Sequence, residues 1–120
     1  MTASSPIACG SLDLSKGNCE DPNLREYYHW ITYIFIHERY KGEGYGSQLL
    51  RSMQYDAWLV TRHPVRADVA HKAVQFFTKN GFNTYGEVWR PMAGSSYFKK
   101  LHPMQIEFSD PVKEDPWDTF

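Results

Sequence analysis

The chain has 120 residues, of which 42% are hydrophobic, 16% aromatic and 22% charged, and its formal net charge is -1. This composition is typical of an ordinary globular domain and excludes a disordered or fibrous chain. The charge balance disfavours duplex nucleic acid as a partner, and the longest apolar run is far shorter than the roughly 20 residues of a membrane helix.

The first half of the chain predicts two strands and a helix. A short strand is expected within residues 6–14, followed by a loop rich in Gly, Asn, Asp and Pro. Residues 30–36, WITYIFI, are apolar on both alternating faces and predict a central, buried strand. From Ser47 onward the apolar residues recur on one helical face, which predicts an amphipathic helix; they are Leu49, Leu50, Met53 and Ala57.

The second half repeats this alternation of strand and helix. Val65, Ala67 and Val69 alternate with charged residues and predict a strand. A second helix is predicted from apolar residues at i, i+3, i+4 and i+7, namely Ala70, Ala73, Val74 and Phe77, with Asn80 and Gly81 placed to end it.

The remaining residues predict a closing hairpin and a tail. Residues 82–90 and 97–101 read as two strands around a Pro/Gly/Ser turn. We expect the tail to be loosely held, apart from anchoring by Ile106, Phe108 or Trp117. The order strand, strand, helix, strand, helix, strand, strand predicts an α/β domain with a mixed sheet.

Three glycines, Gly42, Gly44 and Gly46, stand where the central strand gives way to the first helix. Glycines permit backbone angles that turn successive amides toward one point, and the helix N-terminus adds a partial positive charge. This pattern predicts a phosphate-binding turn. Its spacing matches neither the nucleotide-hydrolysing loop nor the dinucleotide fingerprint, so both of those classes are disfavoured. A glycine-rich turn without a ligand is the alternative.

Two stretches, IFIHERYKGEGYGSQLL at 34–50 and AHKAVQFFTKNGF at 70–82, together resemble the GNAT acetyltransferase superfamily. In IFIHERYKGEGYGSQLL, the residues Lys41, Gly44 and Gly46 occupy the pattern [Arg/Gln]-x-x-Gly-x-[Gly/Ala] of its acyl-CoA loop, with Lys in place of Arg or Gln. The run AHKAVQFFTKNGF at 70–82 resembles its second signature, a helix ending in an aromatic pair and Gly-Phe. The resemblance implies an acyl-CoA N-acyltransferase-like fold: a mixed, mostly antiparallel sheet with helices packed on it, reduced at the N-terminus.

The resemblance also implies a division of the chain and a cofactor site. Residues 1–27 would form an N-terminal strand and loop, 28–102 the core that binds acetyl-CoA, and 103–120 a loosely ordered tail. The loop backbone would hold the pyrophosphate, while a slot between the central strand and its neighbour would take the pantetheine arm; no metal is implied. The implied cofactor-binding residues are Phe35, Ile36, Lys41, Gly42, Glu43, Gly44, Tyr45, Gly46, Ser47 and Phe77.

The implied reaction is transfer of an acetyl group from acetyl-CoA to a primary amine of a protein, a polyamine or a small molecule. The alternative is a CoA-binding module with weak or no catalysis, because Phe77 stands where relatives often have a tyrosine that acts as the general acid. Relatives also place a glutamate on the central strand, near Trp30 in this chain, but no acid stands between His29 and His37. His29 is the first candidate for the base and Tyr33 another, with His37 and Glu26 also open.

The acceptor site is the part that the sequence defines least. GNAT domains usually carry a strand and two helices ahead of the segment seen here, whereas about 27 residues precede the central strand. Three explanations stay open: a truncated or minimal member, a wall supplied by the partner in a homodimer, or a groove left open to a protein tail. We expect a cytoplasmic protein, with a nuclear location also possible.

Overall fold

The fold is a five-stranded mixed sheet that carries two helices. The structure is a computed structural model that describes residues 8–88 and 100–109. Short 3-10 turns occur at Arg25–Tyr27, Glu38–Tyr40 and His71–Ala73. The strands and helices are, in chain order, β1 (Ala8–Asp13), β2 (His29–Ile36), α1 (Tyr45–Val60), β3 (Val65–Ala70), α2 (Val74–Lys79), β4 (Asn83–Thr84) and β5 (Leu101–Ile106).

The strands lie in the order β1-β2-β3-β5-β4. Only the β2–β3 pair is parallel; β1–β2, β3–β5 and β4–β5 are antiparallel. The predicted α/β class, the mixed and mostly antiparallel sheet and the order of elements are therefore confirmed.

Both helices pack into one core against the same face of the sheet. Strand β3 turns Val65, Ala67 and Val69 toward them, all at most 2% exposed. Helix α1 contributes Leu50, which is fully buried, and its burial contributes roughly 1.5–3 kcal/mol. The intervening residues of β3 consequently face away from the helices, on the opposite side of the sheet.

A bulge in β2 changes which of its side chains face the core. Ser11 of β1 pairs with Tyr33 and Leu12 pairs with Ile31, so Thr32 is an extra residue on β2. Side chains alternate along a strand, and the extra residue shifts the alternation so that Ile31 and Ile34 both pack against the core. Beyond the bulge, Tyr33 and Phe35 are 55% and 53% exposed. The prediction that this strand is buried on both faces is therefore wrong.

Helix α2 ends as the sequence predicted. Gly81 adopts a left-handed φ of +95°, and its N–H donates to the carbonyl of Thr78 at 3.0 Å. The N–H of Phe82 donates to the carbonyl of Phe77 at 3.0 Å. These two bonds form a Schellman motif, which satisfies carbonyls that the end of the helix would leave unpaired.

The last strand lies further along the chain than predicted. Strand β5 covers Leu101–Ile106, and Met104 within it is 1% exposed. The expectation of a loosely held tail from residue 103 is therefore wrong for residues 103–106, because β5 pairs with both β3 and β4. Ile106 and Phe108 pack against the core as predicted. Trp117, the hairpin turn and most of the segment 97–101 lie outside the described residues.

Candidate active site

A slot opens between β2 and β3 where the two strands part. They pair only at His29 with Val65 and at Trp30 with Arg66. Beyond that point a cavity of about 190 Å³ separates residues 31–34 of β2 from residues 67–70 of β3, and Ala73 and Phe77 also line it. The bulge at Thr32 lies where the strands begin to diverge, and bulges bend a strand away from its neighbour. The slot implied by the resemblance is thus present.

The glycine loop, residues 41–47, follows β2 at the open end of the slot. Gly42 and Gly44 have φ of +85° and +87°, which favours glycine over every other residue. Within the described part of the chain, no amide from Gly42 to Ser47 donates a hydrogen bond; the first amide of α1 to do so is that of Gln48, to the Gly44 carbonyl at 3.1 Å. Consecutive unpaired amides at a helix N-terminus form an anion-binding site.

Gly46 and Ser47 fix the loop to the rest of the site. A Cβ on Gly46 would lie 3.1 Å from Ile36 Cδ1 and 3.1 Å from Phe76 Cε1, so only glycine allows this approach without a shift. The side-chain amide of Asn80 donates to Ser47 Oγ at 3.2 Å. The start of α1 is thereby held against both β2 and α2.

Lys41 places a cation at the start of the glycine loop. Its Nζ lies 2.9 Å from Glu38 Oε2, and the Lys41 side chain is 59% exposed. The hydrogen bond from Lys41, followed by the charge of its ammonium group, lowers the pKa of Glu38 below its usual value of 4.5. Glu38 therefore stays ionised and partly offsets the positive charge that Lys41 brings to the loop.

Tyr33 and Phe77 line the slot, whereas Phe35 and Ile36 do not. The latter two lie further along β2, on the part of the strand that does not pair with β3. On β2, residues 31–34 therefore form the wall of the cavity. They precede Phe35 and Ile36, the two residues of this strand that the resemblance implied. Phe77 is only 4% exposed and also belongs to the core.

His29 does not line the slot. It is fully buried, and the N–H of Ser15 donates to its Nδ1 at 2.9 Å, so that nitrogen carries no proton. Nε2 lies 3.0 Å from the Thr61 carbonyl and 2.9 Å from Thr61 Oγ1. Burial is the main cause that lowers the pKa of His29 below 6.5. A neutral, enclosed imidazole joins β2 to the end of α1, and this position gives the predicted role as a base no support.

Sequence reasoning missed Arg66 and Asp68, both on the face of β3 away from the helices. Asp68 lines the slot and also a second cavity of about 360 Å³ beside it. The alternation in VRADV predicted that these two side chains share a face, but their neighbours come from other parts of the chain.

The second cavity, which we call the arginine cavity, is built around Arg66. Its lining residues are Asn23, Leu24, Arg25, Tyr28, Trp30, Arg66 and Asp68. The Arg66 guanidinium carbon lies 3.4 Å from the ring centroid of Tyr28 and 3.9 Å from that of Tyr85. Its Nε donates to Gln105 Oε1 at 2.9 Å. Burial raises the pKa of Tyr85 above 10.0, although the charge of Arg66 opposes that rise.

The described residues contain no group of three or more His, Cys, Asp and Glu side chains suited to a metal ion. In the same part of the chain, every helix is too short or too polar to traverse a bilayer.

A family model for the GNAT acetyltransferase domain matches residues 4–84. This match spans more than half of the sequence, so the chain belongs to the GNAT acetyltransferase family. No curated protein sequence matches it significantly.

Solved acetyltransferase structures share the fold at low sequence identity. Nourseothricin acetyltransferase has a TM-score of 0.69 and 14% identity over 84% of this chain and 57% of its own. The IAA acetyltransferase of Bacillus cereus has a TM-score of 0.65 and 16% identity over 90% of this chain and 74% of its own. A spermidine N-acetyltransferase chimera from Vibrio cholerae and hSSAT has a TM-score of 0.56 and 21% identity over 68% of this chain and 51% of its own. In four such structures the chain spans between 57% and 64% of the other chain's length.

Proposed function

We propose that the protein transfers an acetyl group from acetyl-CoA to the nitrogen of a primary amine. The observation that carries this proposal is the glycine loop, whose amides from Gly42 to Ser47 find no acceptor among the described residues and which follows β2, the strand that lines one side of the slot. A site for an anion beside a cleft for an extended, amide-bearing arm suits the two ends of CoA.

Each part of the cofactor has a counterpart in the site. The pyrophosphate would accept hydrogen bonds from the loop amides, and Lys41 would add a positive charge. The pantetheine arm carries amides, and the edge of β2 that does not pair with β3 offers backbone groups to them in the manner of an added strand. The acetyl group would then lie at the closed end of the slot, near Thr32 and Asp68.

The reaction proposed for this site is a direct displacement. The neutral amine attacks the thioester carbonyl carbon, a C–N bond forms and the C–S bond breaks. The nitrogen gives up one proton and the departing CoA thiolate takes one up, so no other reactant is required. A thiol has a pKa near 8.5, so its thiolate leaves with little help from an acid.

Of the two predicted catalytic residues, Tyr33 is the one that lines the slot, and we keep it as the candidate to contact the reacting groups. Phe77 also lines the slot but has no hydroxyl to protonate the sulfur. For that reason a CoA-binding module with weak catalysis is the second candidate function.

Two measurements test the proposal. Calorimetric titration with acetyl-CoA should give saturable binding, and absence of binding at millimolar cofactor would contradict both candidate functions. Release of CoA thiol in the presence of primary amines separates the enzyme from the binding module. Release that never exceeds the protein-free control would leave only the second candidate.

A further inference from the structure

The arginine cavity adjoins the slot on the face of the sheet away from the helices. Asp68 lines both spaces, so it stands where the closed end of the slot meets the cavity. Arg66 lies two residues before Asp68, on the same face of β3, and pairs with Trp30 of β2. A molecule in the cavity therefore reaches the slot at Asp68.

Side chains of opposite charge line the cavity. Residues two apart on a strand lie about 6.6 Å from each other along one face, which separates Asp68 from Arg66 by the size of a small molecule. The other cation of the cavity, Arg25, already lies 3.6 Å from Asp13. Arg66 forms no ion pair with any carboxylate of the described residues, and its Nε donates to the neutral amide oxygen of Gln105.

The surroundings of Arg66 hold its guanidinium in a fixed position. The rings of Tyr28 and Tyr85 contact it through their faces, and Gln105 accepts from its Nε. Stacking of this kind leaves the edge of the planar group for a ligand, and that edge presents paired N–H donors that match a carboxylate. The arrangement is thus suited to bind a carboxylate with little loss of side-chain freedom.

We propose that the arginine cavity binds the acceptor, and that the acceptor is an amine that also carries a carboxylate, such as an amino acid. Its ammonium group binds Asp68 beside the thioester, and its carboxylate binds Arg66. This inference rests on the proposed function and names the substrate class for it. Bound in this way, the ammonium releases its proton to water, and the neutral nitrogen then attacks as described above.

The pairing also predicts which amines the cavity rejects. An amine that lacks the carboxylate leaves Arg66 unpaired in a partly enclosed site, and a binding site built for a polar group discriminates strongly against ligands that lack it. A charge-assisted contact of this kind corresponds to a preference of about 10- to 100-fold.

The test compares phenylalanine with phenethylamine, which differ only in the carboxylate; lysine and cadaverine form a second such pair. Each is titrated by calorimetry into CoA-saturated protein and assayed for thiol release with acetyl-CoA. We expect each amino acid to bind about 10- to 100-fold more tightly than its decarboxylated partner. R66Q should remove this preference and leave phenethylamine binding unchanged, and R66K should keep part of it. D68N should weaken both amines alike.

Three results would overturn the inference: equal binding of phenylalanine and phenethylamine, no binding of either, or loss of both ligands together in R66Q. The exposed Arg51 of α1 supplies the matched control R51Q, which should behave as the wild type. Acetyl-CoA affinity measured for every variant identifies any that has lost its fold. If acetyl-CoA binds and no amine gives thiol release, the proposed function fails, while the binding comparison still decides the inference.

Discussion

Replacement of Gly44 by valine tests the glycine loop directly. Gly44 precedes α1 with a φ of +87°, and a Cβ there would meet nothing within 4 Å, so the cost of a side chain is confined to the backbone. A residue other than glycine in this left-handed region costs about 1–2 kcal/mol. The turn is exposed and can relax to avoid that cost, but binding of the pyrophosphate would require the original angle again. We therefore expect acetyl-CoA to bind about 5- to 30-fold more weakly to G44V.

The matched control is G44N, because asparagine tolerates the left-handed region far better than valine. Calorimetry should show that G44N binds acetyl-CoA almost as tightly as the wild type does, and more tightly than G44V does. If the unliganded variant keeps the strained angle and does not relax, its free energy of unfolding should be lower, and urea unfolding of both variants measures this. Unchanged acetyl-CoA affinity in G44V, with unchanged stability, would refute the role assigned to this turn.

Four further changes have defined outcomes. E38Q removes the carboxylate that pairs with Lys41 and should tighten acetyl-CoA binding at low salt, an effect that titration in 0.5 M salt should reduce. F77Y should raise kcat by up to about tenfold by supplying a proton donor in the slot, and a lower kcat with intact CoA binding would argue against this. G81A adds a Cβ at φ +95°, 3.0 Å from Ile106 Cδ1, and urea unfolding should show a loss of about 1–2 kcal/mol. Burial lowers the pKa of His29 below its ordinary 6.5, so the unfolded chain takes up this proton at a higher pH than the folded protein does. The free energy of unfolding should therefore fall as the pH drops from 7.5 to 5.5, and the fall should be smaller in H29Q.

The features that the sequence predicted are those determined by neighbours along the chain. Gly81 could be identified as a helix end because a left-handed residue after an apolar helical stretch is a local requirement. The glycine loop was recognisable for the same reason, since Gly42 and Gly44 both adopt positive φ in the structure.

The features that the sequence did not predict depend on pairing between distant segments. The bulge at Thr32 exists only relative to β1, so the exposure of Phe35 could not be derived from WITYIFI alone. Strand β5 contains Pro103, a residue that usually argues against a paired strand, and its place in the sheet comes from contacts with β3.

The candidate catalytic residues show the same limit. His29 looked available because it begins a strand, yet Ser15 and Thr61, distant in sequence, enclose it. In the sequence, Asp68 is only one of the charged residues that alternate with Val65, Ala67 and Val69. Its position between the slot and the arginine cavity became evident only from the way β2 and β3 diverge.

The central claim is that the backbone amides of the glycine loop bind the pyrophosphate of CoA. The most direct test is titration of the ¹⁵N-labelled protein with CoA while the backbone amide resonances are followed by NMR. We predict that the largest shifts belong to residues 42–47, with smaller ones along the slot. Saturable binding that leaves these amides unshifted, and moves resonances elsewhere instead, would contradict it.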